Sequence, residues 1–196
     1  TAAAHLRRKL SKEHEVLVVS PNRNYQWVPS NIWVGIGRMK SKEVIFPLEP
    51  LYKRKGIGYK QAKAISFHPE GDSSEAKPYI LVEGVFGDNL GKQEKVTYDY
   101  LINATGPKLA FDMTEGLQPA TNKVYSVCTY DHAEHASEAL HKLIDQLKKS
   151  DKKAKILIGT GHAKATCQGA AFEYILNVEK ELQKFGVRDK AEITWI

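Results

Sequence analysis

The segment from residue 155 to residue 196 restricts the possible folds more than any other part of the chain. It starts with the apolar run "KILIG", passes through the turn "TGHAKATC" into the helical sequence "QGAAFEYILNVEKELQKFG", and ends in "AEITWI". A strand, a glycine-containing turn, a helix and a second strand form a βαβ unit, in which the two strands are parallel. Strands and helices also alternate upstream, which is typical of α/β folds.

The turn of this unit differs from a nucleotide-binding loop at one position. Such a loop has three glycines, and the chain has Gly159 and Gly161 but Lys164 where the third is expected. A nicotinamide pyrophosphate needs close approach to the backbone and a free helix N-terminus. Since Lys164 and Cys167 occupy this region, the sequence argues against NADH as the reductant.

Cys167 opens the helix of the same unit. The helix dipole and the free backbone N–H groups at a helix N-terminus favour the thiolate, which is the nucleophilic form of cysteine. We therefore consider Cys167 a candidate redox thiol, with a small buried structural residue as the alternative. Cys128 is the other cysteine of the chain, and a structural role is open for it too. Two cysteines are too few for a disulfide framework or a four-ligand zinc site, so any function belongs to the individual sulfurs.

An amphipathic helix is predicted over residues 129–150. Asp131 is its predicted cap, and Lys148 and Lys149 suit its C-terminal end. Apolar residues recur at spacings of three and four, which predicts one buried face. The residues of this face are Ala133, Ala136, Leu140, Leu143 and Leu147.

The N-terminal half is predicted to begin with a helix that has no visible cap, followed by a strand that ends near Ser20. Residues 24–37 are predicted as a loop and a short helix. A small antiparallel group of strands follows, and then a buried strand at Tyr100 to Ala104. Because βαβ order would place a strand and a glycine-rich turn before Thr1, we expect the chain to be an internal segment of a longer protein.

The net charge of +6 suits an anionic partner, but it does not choose between a flavin pyrophosphate, an acidic lipid surface and nucleic acid. No nucleic-acid-binding motif is present, so no nucleic-acid partner is predicted. The sequence also contains no run of 18 apolar residues, which argues against a membrane-spanning helix.

The segment "YDYLINATGPKLAFD" carries the most specific local signal. An apolar run ends in Ala104, Thr105 and Gly106, and Pro107 follows. This A-T-G turn resembles the second fingerprint of flavoproteins with two dinucleotide-binding domains, in which small residues let the backbone approach the flavin. A tight turn without a ligand is the alternative interpretation.

Four segments together resemble the sulfide:quinone oxidoreductases, flavoproteins related to the disulfide reductases. They are "NYQWVPSNIWVGIG", "YDYLINATGPKLAF", "YSVCTYDHAEHA" and "ATCQGAAFEY". The resemblance covers nearly the whole chain, and the cysteine contexts separate it from NADH-using relatives. It implies an α/β fold with two Rossmann-like, FAD/NAD(P)-binding domains, parallel sheets and a small antiparallel β insertion. Residues 1–110 would form the FAD-binding domain, without its first glycine-rich loop and with the insertion at about 56–97, and residues 111–196 the second domain.

The resemblance also assigns roles to four residues. Cys167 matches the redox-active cysteine that faces the flavin and pairs with a further cysteine nearer the C-terminus, which this chain does not contain. Cys128 matches the cysteine near the dimethylbenzene edge of the flavin. Glu173 matches a glutamate proposed to move protons. On a helix it would lie about 120° away from Cys167, so it would act through water or quinone. His132 matches a histidine near the site, with an exposed or capping histidine as the alternative.

The predicted cofactor-binding residues fall into three groups. Ser20 and Asn22 stand where many FAD proteins use an acidic residue on the ribose, and a serine bonds a hydroxyl less strongly than a carboxylate does. The other two groups are the loop beside the isoalloxazine ring and the turn beside the flavin: Val28, Pro29 and Ser30, and Ala104, Thr105, Gly106 and Pro107. No metal site is predicted.

The function that the resemblance implies is oxidation of sulfide to sulfur or polysulfide through a redox cysteine and FAD, with electrons passed to a membrane quinone. It further implies a peripheral position at the membrane surface, a prokaryotic source and a possible homo-oligomer. Three alternatives remain open: the flavoprotein subunit of flavocytochrome c sulfide dehydrogenase, a type II NADH:quinone reductase, and a non-catalytic flavoprotein fragment. The first tends to have a C-P-P-G context for its second cysteine, which "CQGAAFEY" does not reproduce.

Overall fold

The computed structural model describes residues 1–118, 123–162, 164–165 and 167–196. The helices are α1 (Ala2–Lys9), α2 (Asn31–Gly35), α3 (Ser41–Val44), α4 (Leu48–Arg54), α5 (Tyr130–Lys148) and α6 (Gln168–Lys184). The strands are β1 (Leu17–Ser20), β2 (Asn24–Gln26), β3 (Ile45–Pro47), β4 (Gly58–His68), β5 (Tyr79–Gly84), β6 (Gln93–Thr97), β7 (Ala154–Ile158) and β8 (Ala191–Trp195). Strands β2 and β3 pair with each other. The predicted α/β fold is confirmed.

The chain divides into two compact units. Unit 1 consists of Thr1–Tyr25 and Pro47–Pro107, and unit 2 of Gln26–Phe46 and Lys108–Ile196. The segment 26–46 therefore packs with the C-terminal part of the chain, although the predicted boundary near residue 110 places it in the first domain. The assignment of the domains to FAD and to a second nucleotide-binding fold stays a prediction.

Unit 1 is built on a four-stranded mixed sheet in the order β1-β4-β5-β6. Strand β1 runs parallel to β4, with Leu17 opposite Gly58. Strands β4, β5 and β6 are antiparallel to one another, as predicted for the small insertion. The sheet and α4 bury two apolar clusters: Val16, Leu48, Tyr52 and Ile57, and Ala62, Ile80 and Val82.

The predicted buried strand at Tyr100 to Ala104 is wrong. Residues 101–110 form neither strand nor helix, and Tyr100 is 96% exposed. Strand β6 ends before them, at Thr97. A strand must pair its backbone N–H and C=O groups with a neighbour, and no strand among the described residues lies beside this segment.

The first helix is capped, contrary to the prediction. The Thr1 hydroxyl accepts a hydrogen bond from the Ala4 N–H at 3.4 Å. At the other end, the Arg7 guanidinium donates to the backbone carbonyls of Leu10, at 3.0 Å, and His14, at 2.6 Å. Both ends of α1 are thus satisfied by side chains from the helix itself or from the residue before it.

Unit 2 contains the βαβ unit predicted from the sequence. Strands β7 and β8 are parallel, with Lys155 opposite Glu192, and α6 connects them. Gly186 follows the end of α6 with a φ of 69°, which confirms the predicted helix stop. The rings of Phe172 and Trp195 stack at 4.0 Å, so the second turn of α6 also contacts the end of β8.

Helix α5 packs against this unit with the predicted face. Ala133, Ala136, Leu140 and Leu147 are buried, and Leu143 is partly buried against the same core. The main core cluster is completed by Ile36, Ile144, Ile158, Val178, Leu182, Val187 and Ala191. The predicted cap is wrong: Thr129 is the N-cap residue, and Asp131 lies in the first turn.

The segment 26–46 folds around α2, which packs against both α5 and α6. A second cluster of unit 2 contains Val34, Val44 and Ala133. The Arg38 guanidinium donates to the carboxylate of Glu181 on α6, and Glu181 is only 1% exposed. A carboxylate buried this deeply requires a cationic partner, so this ion pair ties the segment to α6.

Candidate functional site

Cys167 is the N-cap residue of α6, as the sequence predicts for a thiol at a helix N-terminus. It is exposed and forms no disulfide. Its side chain makes no capping hydrogen bond to the described first turn of α6, and this turn contains no acidic residue. The sulfur is thus accessible at the N-terminal end of the helix.

The two glycines in the turn before Cys167 are both packed closely against other parts of the chain. A Cβ atom at Gly159 would lie 1.8 Å from the Ile196 carbonyl oxygen, so the neighbouring backbone fills the space there. Gly161 has a φ of 60°, and a Cβ atom would lie 2.9 Å from Leu117 Cδ1. The His162 ring accepts a hydrogen bond from the Lys164 N–H at 3.0 Å. Residues 163 and 166 of the predicted turn lie outside the described residues.

Cys128 lies just before α5 and is also exposed and free of a disulfide. Its backbone N–H donates to the Ser126 hydroxyl at 3.1 Å. The preceding residue, Val127, packs against the cluster of Val34, Val44 and Ala133. The anchored neighbours hold the backbone at Cys128 while its side chain faces solvent.

His132 lies in the first turn of α5 and is half-buried. Its ring contacts Phe111 edge-on, with centroids 5.5 Å apart. Its Nδ1 atom is buried and has no hydrogen-bond partner among the described residues. The ring is therefore not fully exposed, and the role of His132 near the site stays a prediction.

Glu173 is exposed on α6, and its backbone carbonyl accepts from the Asn177 amide at 2.8 Å. No hydrogen bond or ion pair joins its carboxylate to Cys167 within the part of the chain that the structure describes. Its proposed role in proton movement stays a prediction.

Val28, Pro29 and Ser30 form a short 3-10 turn directly before α2. The turn is held by the Ser30 N–H, which donates to the Trp27 carbonyl at 3.0 Å. Val28 is 52% exposed, and the adjacent Trp27 is exposed to the same extent. A firmly held backbone with exposed apolar side chains is a surface that an aromatic ligand can cover.

Sequence reasoning missed a junction of three residues, Gly35, Val127 and Tyr174, at the end of the helix that follows this turn. The Tyr174 hydroxyl of α6 donates to the Gly35 carbonyl of α2 at 3.1 Å. A Cβ atom on Gly35 would lie 2.8 Å from Val127 Cγ1 and 2.9 Å from Tyr174 Cε2. The junction therefore joins the helix of Cys167, the segment of Val28–Ser30 and the residue before Cys128. Only Gly35, inside a helical sequence, signals a close approach in the sequence.

Asn31 is a second missed residue. It is the first residue of α2, it is fully buried, and neither polar atom of its amide has a partner among the described residues. The Gln26 amide nitrogen is buried in the same way. Together with His132 Nδ1, these atoms leave unit 2 with several unsatisfied buried polar groups around the predicted site.

In unit 1, Ser20 ends β1, at the carboxyl end of the parallel pair β1 and β4. Its hydroxyl accepts from the Asn22 N–H at 3.2 Å, and the Tyr59 hydroxyl donates to the Asn22 carbonyl at 2.6 Å. Ligands of α/β sheets bind at the carboxyl ends of the strands, which is where these two residues lie.

The turn from Ala104 to Pro107 also belongs to unit 1 and is exposed. The N–H and hydroxyl of Thr105 both donate to the Asn103 side-chain oxygen, at 3.2 Å and 2.9 Å. Gly106 has a φ of 69°, and no atom of the described residues lies within 4 Å of the position of a Cβ atom. Within the described part of the chain, the turn thus has an open side at this glycine.

The structure gives no metal centre. Among the described residues, no group of three or more His, Cys, Asp or Glu side chains could hold a metal ion. The described helices also include none whose length and hydropathy would let it cross a membrane.

Comparison with known proteins covers the whole chain. No family model matches it. The sulfide-quinone reductase of Aquifex aeolicus is 28% identical over 195 residues, which is all of this chain and 40% of the relative. The mitochondrial sulfide:quinone oxidoreductase of Dictyostelium discoideum is 26% identical over 98% of this chain and 38% of that protein. The resemblance to the sulfide:quinone oxidoreductases is therefore confirmed. The chain spans about 40% of the length of these curated relatives.

Solved structures give the same result. The X-ray structure of the sulfide:quinone oxidoreductase from Aquifex aeolicus matches with a TM-score of 0.72 and 25% identity, over 98% of this chain and 39% of that one. The NDH2 structure from Plasmodium falciparum in complex with NADH matches with a TM-score of 0.60 and 16% identity, over 98% and 38%. At this identity the NDH2 match shows a shared fold alone.

Proposed function

We propose that the protein to which this chain belongs is an FAD-dependent sulfide:quinone oxidoreductase. The observation that carries the proposal is an exposed cysteine at the N-terminus of α6, in a chain whose whole length is similar to sulfide-quinone reductases. Cys167 would hold the sulfur that sulfide supplies. The partner thiol or sulfur that the reaction needs is not Cys128 in this proposal, but a cysteine outside these 196 residues.

The residues of each unit fit the cofactor. In unit 1, Ser20 lies at the carboxyl end of a parallel strand pair, and Gly106 leaves an open surface. In unit 2, Val28 and Trp27 expose apolar surface on a held turn. When bound, FAD would supply the acceptor for two electrons from sulfide and the donor of two electrons to quinone.

The overall reaction balances with sulfide and quinone alone. Hydrogen sulfide loses two electrons and two protons to give zero-valent sulfur, or the equivalent sulfur in a polysulfide, and quinone gains both to give quinol. Cys167 would present the nucleophilic sulfur, and the exposed thiol of Cys128 would handle sulfur at a second position. His132 and Glu173 would hold or move the protons, His132 from its half-buried ring and Glu173 from the surface of α6.

Quinone is a membrane substrate, so we place the protein at the membrane surface. The net charge of +6 favours an anionic lipid surface. A homo-oligomer and a prokaryotic source stay predictions, and the relatives include a bacterial and a mitochondrial protein.

The test is the substitution Cys167→Ser in the full-length protein. We expect loss of sulfide-dependent quinone reduction with flavin still bound, because serine keeps the size of the side chain but is not a nucleophile at neutral pH. Quinone reduction and the flavin absorbance spectrum are measured on the same preparation. Cys128→Ser is the matched variant, since it removes the other exposed thiol and separates the roles of the two sulfurs.

Unimpaired turnover of the Cys167→Ser protein would overturn the proposal. Haem in the purified protein, with no reduction of quinone, would indicate the flavocytochrome c type instead.

A further inference from the structure

Cys167, Tyr174 and Glu181 follow one another at intervals of seven residues along α6. Seven residues turn through about 700°, which is within about 20° of two full turns. Tyr174 and Glu181 therefore lie along one face of the helix, about 10 Å apart. Cys167 is the N-cap residue directly before this helix, so a residue that fixes the position of α6 also fixes the backbone that carries the thiol.

Two side-chain contacts join this face of α6 to the segment 26–46. Tyr174 donates to the Gly35 carbonyl, and Glu181 pairs with Arg38. The residue nearer the N-terminus of α6, Tyr174, contacts the earlier residue of the segment, Gly35, and the later residue, Glu181, contacts Arg38. The contacts thus follow the same order along both parts of the chain. Val28–Ser30 precedes Gly35 in the segment, as Cys167 precedes Tyr174.

The contact at Tyr174 is tight and specific. Gly35 ends α2, so its carbonyl has no partner within the helix, and the Tyr174 hydroxyl satisfies it. The missing Cβ atom of Gly35 lets the ring and the Val127 side chain reach the backbone. Burial raises the pKa of Tyr174 above its ordinary value, which already lies well above physiological pH, so the hydroxyl is a neutral hydrogen-bond donor.

We propose that Tyr174 is a positioning residue for the Cys167 thiol. Its hydrogen bond to Gly35 and its packing on Val127 fix the rotation of α6, and hence the placement of the sulfur relative to Val28–Ser30 and Cys128. The contribution to sulfide oxidation rests on the function proposed above, whereas the control of thiol placement does not.

The test compares Tyr174→Phe with Tyr79→Phe in the full-length protein. Each substitution removes a hydroxyl group that donates one hydrogen bond. The Tyr174 hydroxyl donates to the Gly35 carbonyl in unit 2, whereas the Tyr79 hydroxyl donates to the Asp72 carboxylate in unit 1. Amide hydrogen exchange at residues 168–175, in the first turns of α6, is followed by peptide mass spectrometry, and flavin bleaching by sulfide is followed by stopped flow. Thermal unfolding of both variants is measured in parallel.

For Tyr174→Phe we expect amide hydrogen exchange at residues 168–175 to become about fivefold faster, the factor that corresponds to a hydrogen bond worth about 1 kcal/mol. Flavin bleaching by sulfide should slow about tenfold, because a small displacement of a reacting group is costly. The KM for quinone should stay unchanged. Tyr79→Phe should lose a similar amount of thermal stability and change neither rate.

If Tyr174→Phe loses stability while flavin bleaching by sulfide matches wild type, Tyr174 is only structural and the inference is overturned. If Cys167→Ser still bleaches the flavin with sulfide, the proposed function fails, while hydrogen exchange in the first turns of α6 still reports on the anchoring of the helix. Gly35→Ala is the second variant: it should reproduce the faster exchange, since its Cβ atom pushes Tyr174 away, and unchanged exchange in both variants contradicts the inference.

Discussion

Gly159 is required by the packing at the end of β7. It stands at the position of the first glycine of a dinucleotide-binding loop, which permits the tight turn, whereas the second glycine permits close approach of the pyrophosphate. A Cβ atom at Gly159 would lie 1.8 Å from the Ile196 carbonyl oxygen, so the neighbouring backbone fills the space beside this residue.

Alanine at position 159 should therefore destabilise the protein. We expect Gly159→Ala to cost about 2 kcal/mol or more, because backbone atoms must move to admit the methyl group. The matched variant is Gly169→Ala in the first turn of α6, where nothing lies within 4 Å of the new atom. It should be neutral or stabilising by up to about 0.5 kcal/mol, since alanine favours helix. Urea unfolding of the two variants measures the difference, and equal stabilities would contradict this account of the turn.

The site residues differ in how far the sequence could identify them. Cys167 at the start of a helix follows from an apolar run and a glycine-containing turn, which are local signals. Asn31 and Tyr174 have no such signal, because their significance comes from burial and from a carbonyl contributed by a different helix. Long-range contacts of this kind do not leave a periodic pattern in the sequence.

At the scale of elements, α6 is anchored to the segment 26–46 by Arg38 and Glu181. Glu181 is buried, whereas Arg38 is partly exposed, and Lys184 lies 3.8 Å from the other carboxylate oxygen. Removal of the guanidinium leaves a buried carboxylate with one distant cation, which is strongly unfavourable.

Arg38→Met should destabilise the protein by about 3 kcal/mol. Replacement of both partners, Arg38→Met with Glu181→Leu, should recover most of this loss, because the buried charge is gone. Chemical denaturation of the single and double variants gives the coupling between them. Additive losses in the double variant would mean that the pair does not act as a unit.

The elements that the sequence predicts well are those whose apolar spacing repeats over many residues. Helices α5 and α6 carry their apolar spacing over four turns or more, and both lie where the pattern predicts. The strand predicted at Tyr100 to Ala104 fails for a different reason, since an apolar run specifies burial only when a neighbouring strand is available. The predicted cap at Asp131 also depends on more than the local sequence. Thr129 or Asp131 can be the N-cap residue, according to which residue is the first of the helix.

At the scale of the whole molecule, the fold is shared more widely than the chemistry. The NDH2 structure in complex with NADH has the same fold at 16% identity, and the sulfide-quinone reductase of Aquifex aeolicus is more similar in both sequence and structure. The turn before α6 differs from a dinucleotide-binding loop at the position of the third glycine. Lys164 stands there, and Cys167 follows three residues later.

We therefore expect sulfide, but not NADH, to bleach the flavin of the full-length protein. The physical reason is that a dinucleotide pyrophosphate needs open backbone at this turn, whereas a small inorganic sulfur donor does not. Anaerobic absorbance spectra with equal concentrations of the two reductants make the comparison. Bleaching by NADH at a rate similar to that with sulfide would instead favour a type II NADH:quinone reductase.

The stacked rings of Phe172 and Trp195 provide a natural optical reporter within unit 2. Phe172 lies five residues after Cys167, in the part of α6 whose rotation determines where the thiol points. Indole emission depends on the atoms in contact with the ring, so a change in the first turns of α6 alters the fluorescence of Trp195. A reaction at the Cys167 sulfur can thus be followed through the fluorescence of Trp195, a residue that takes no part in the reaction.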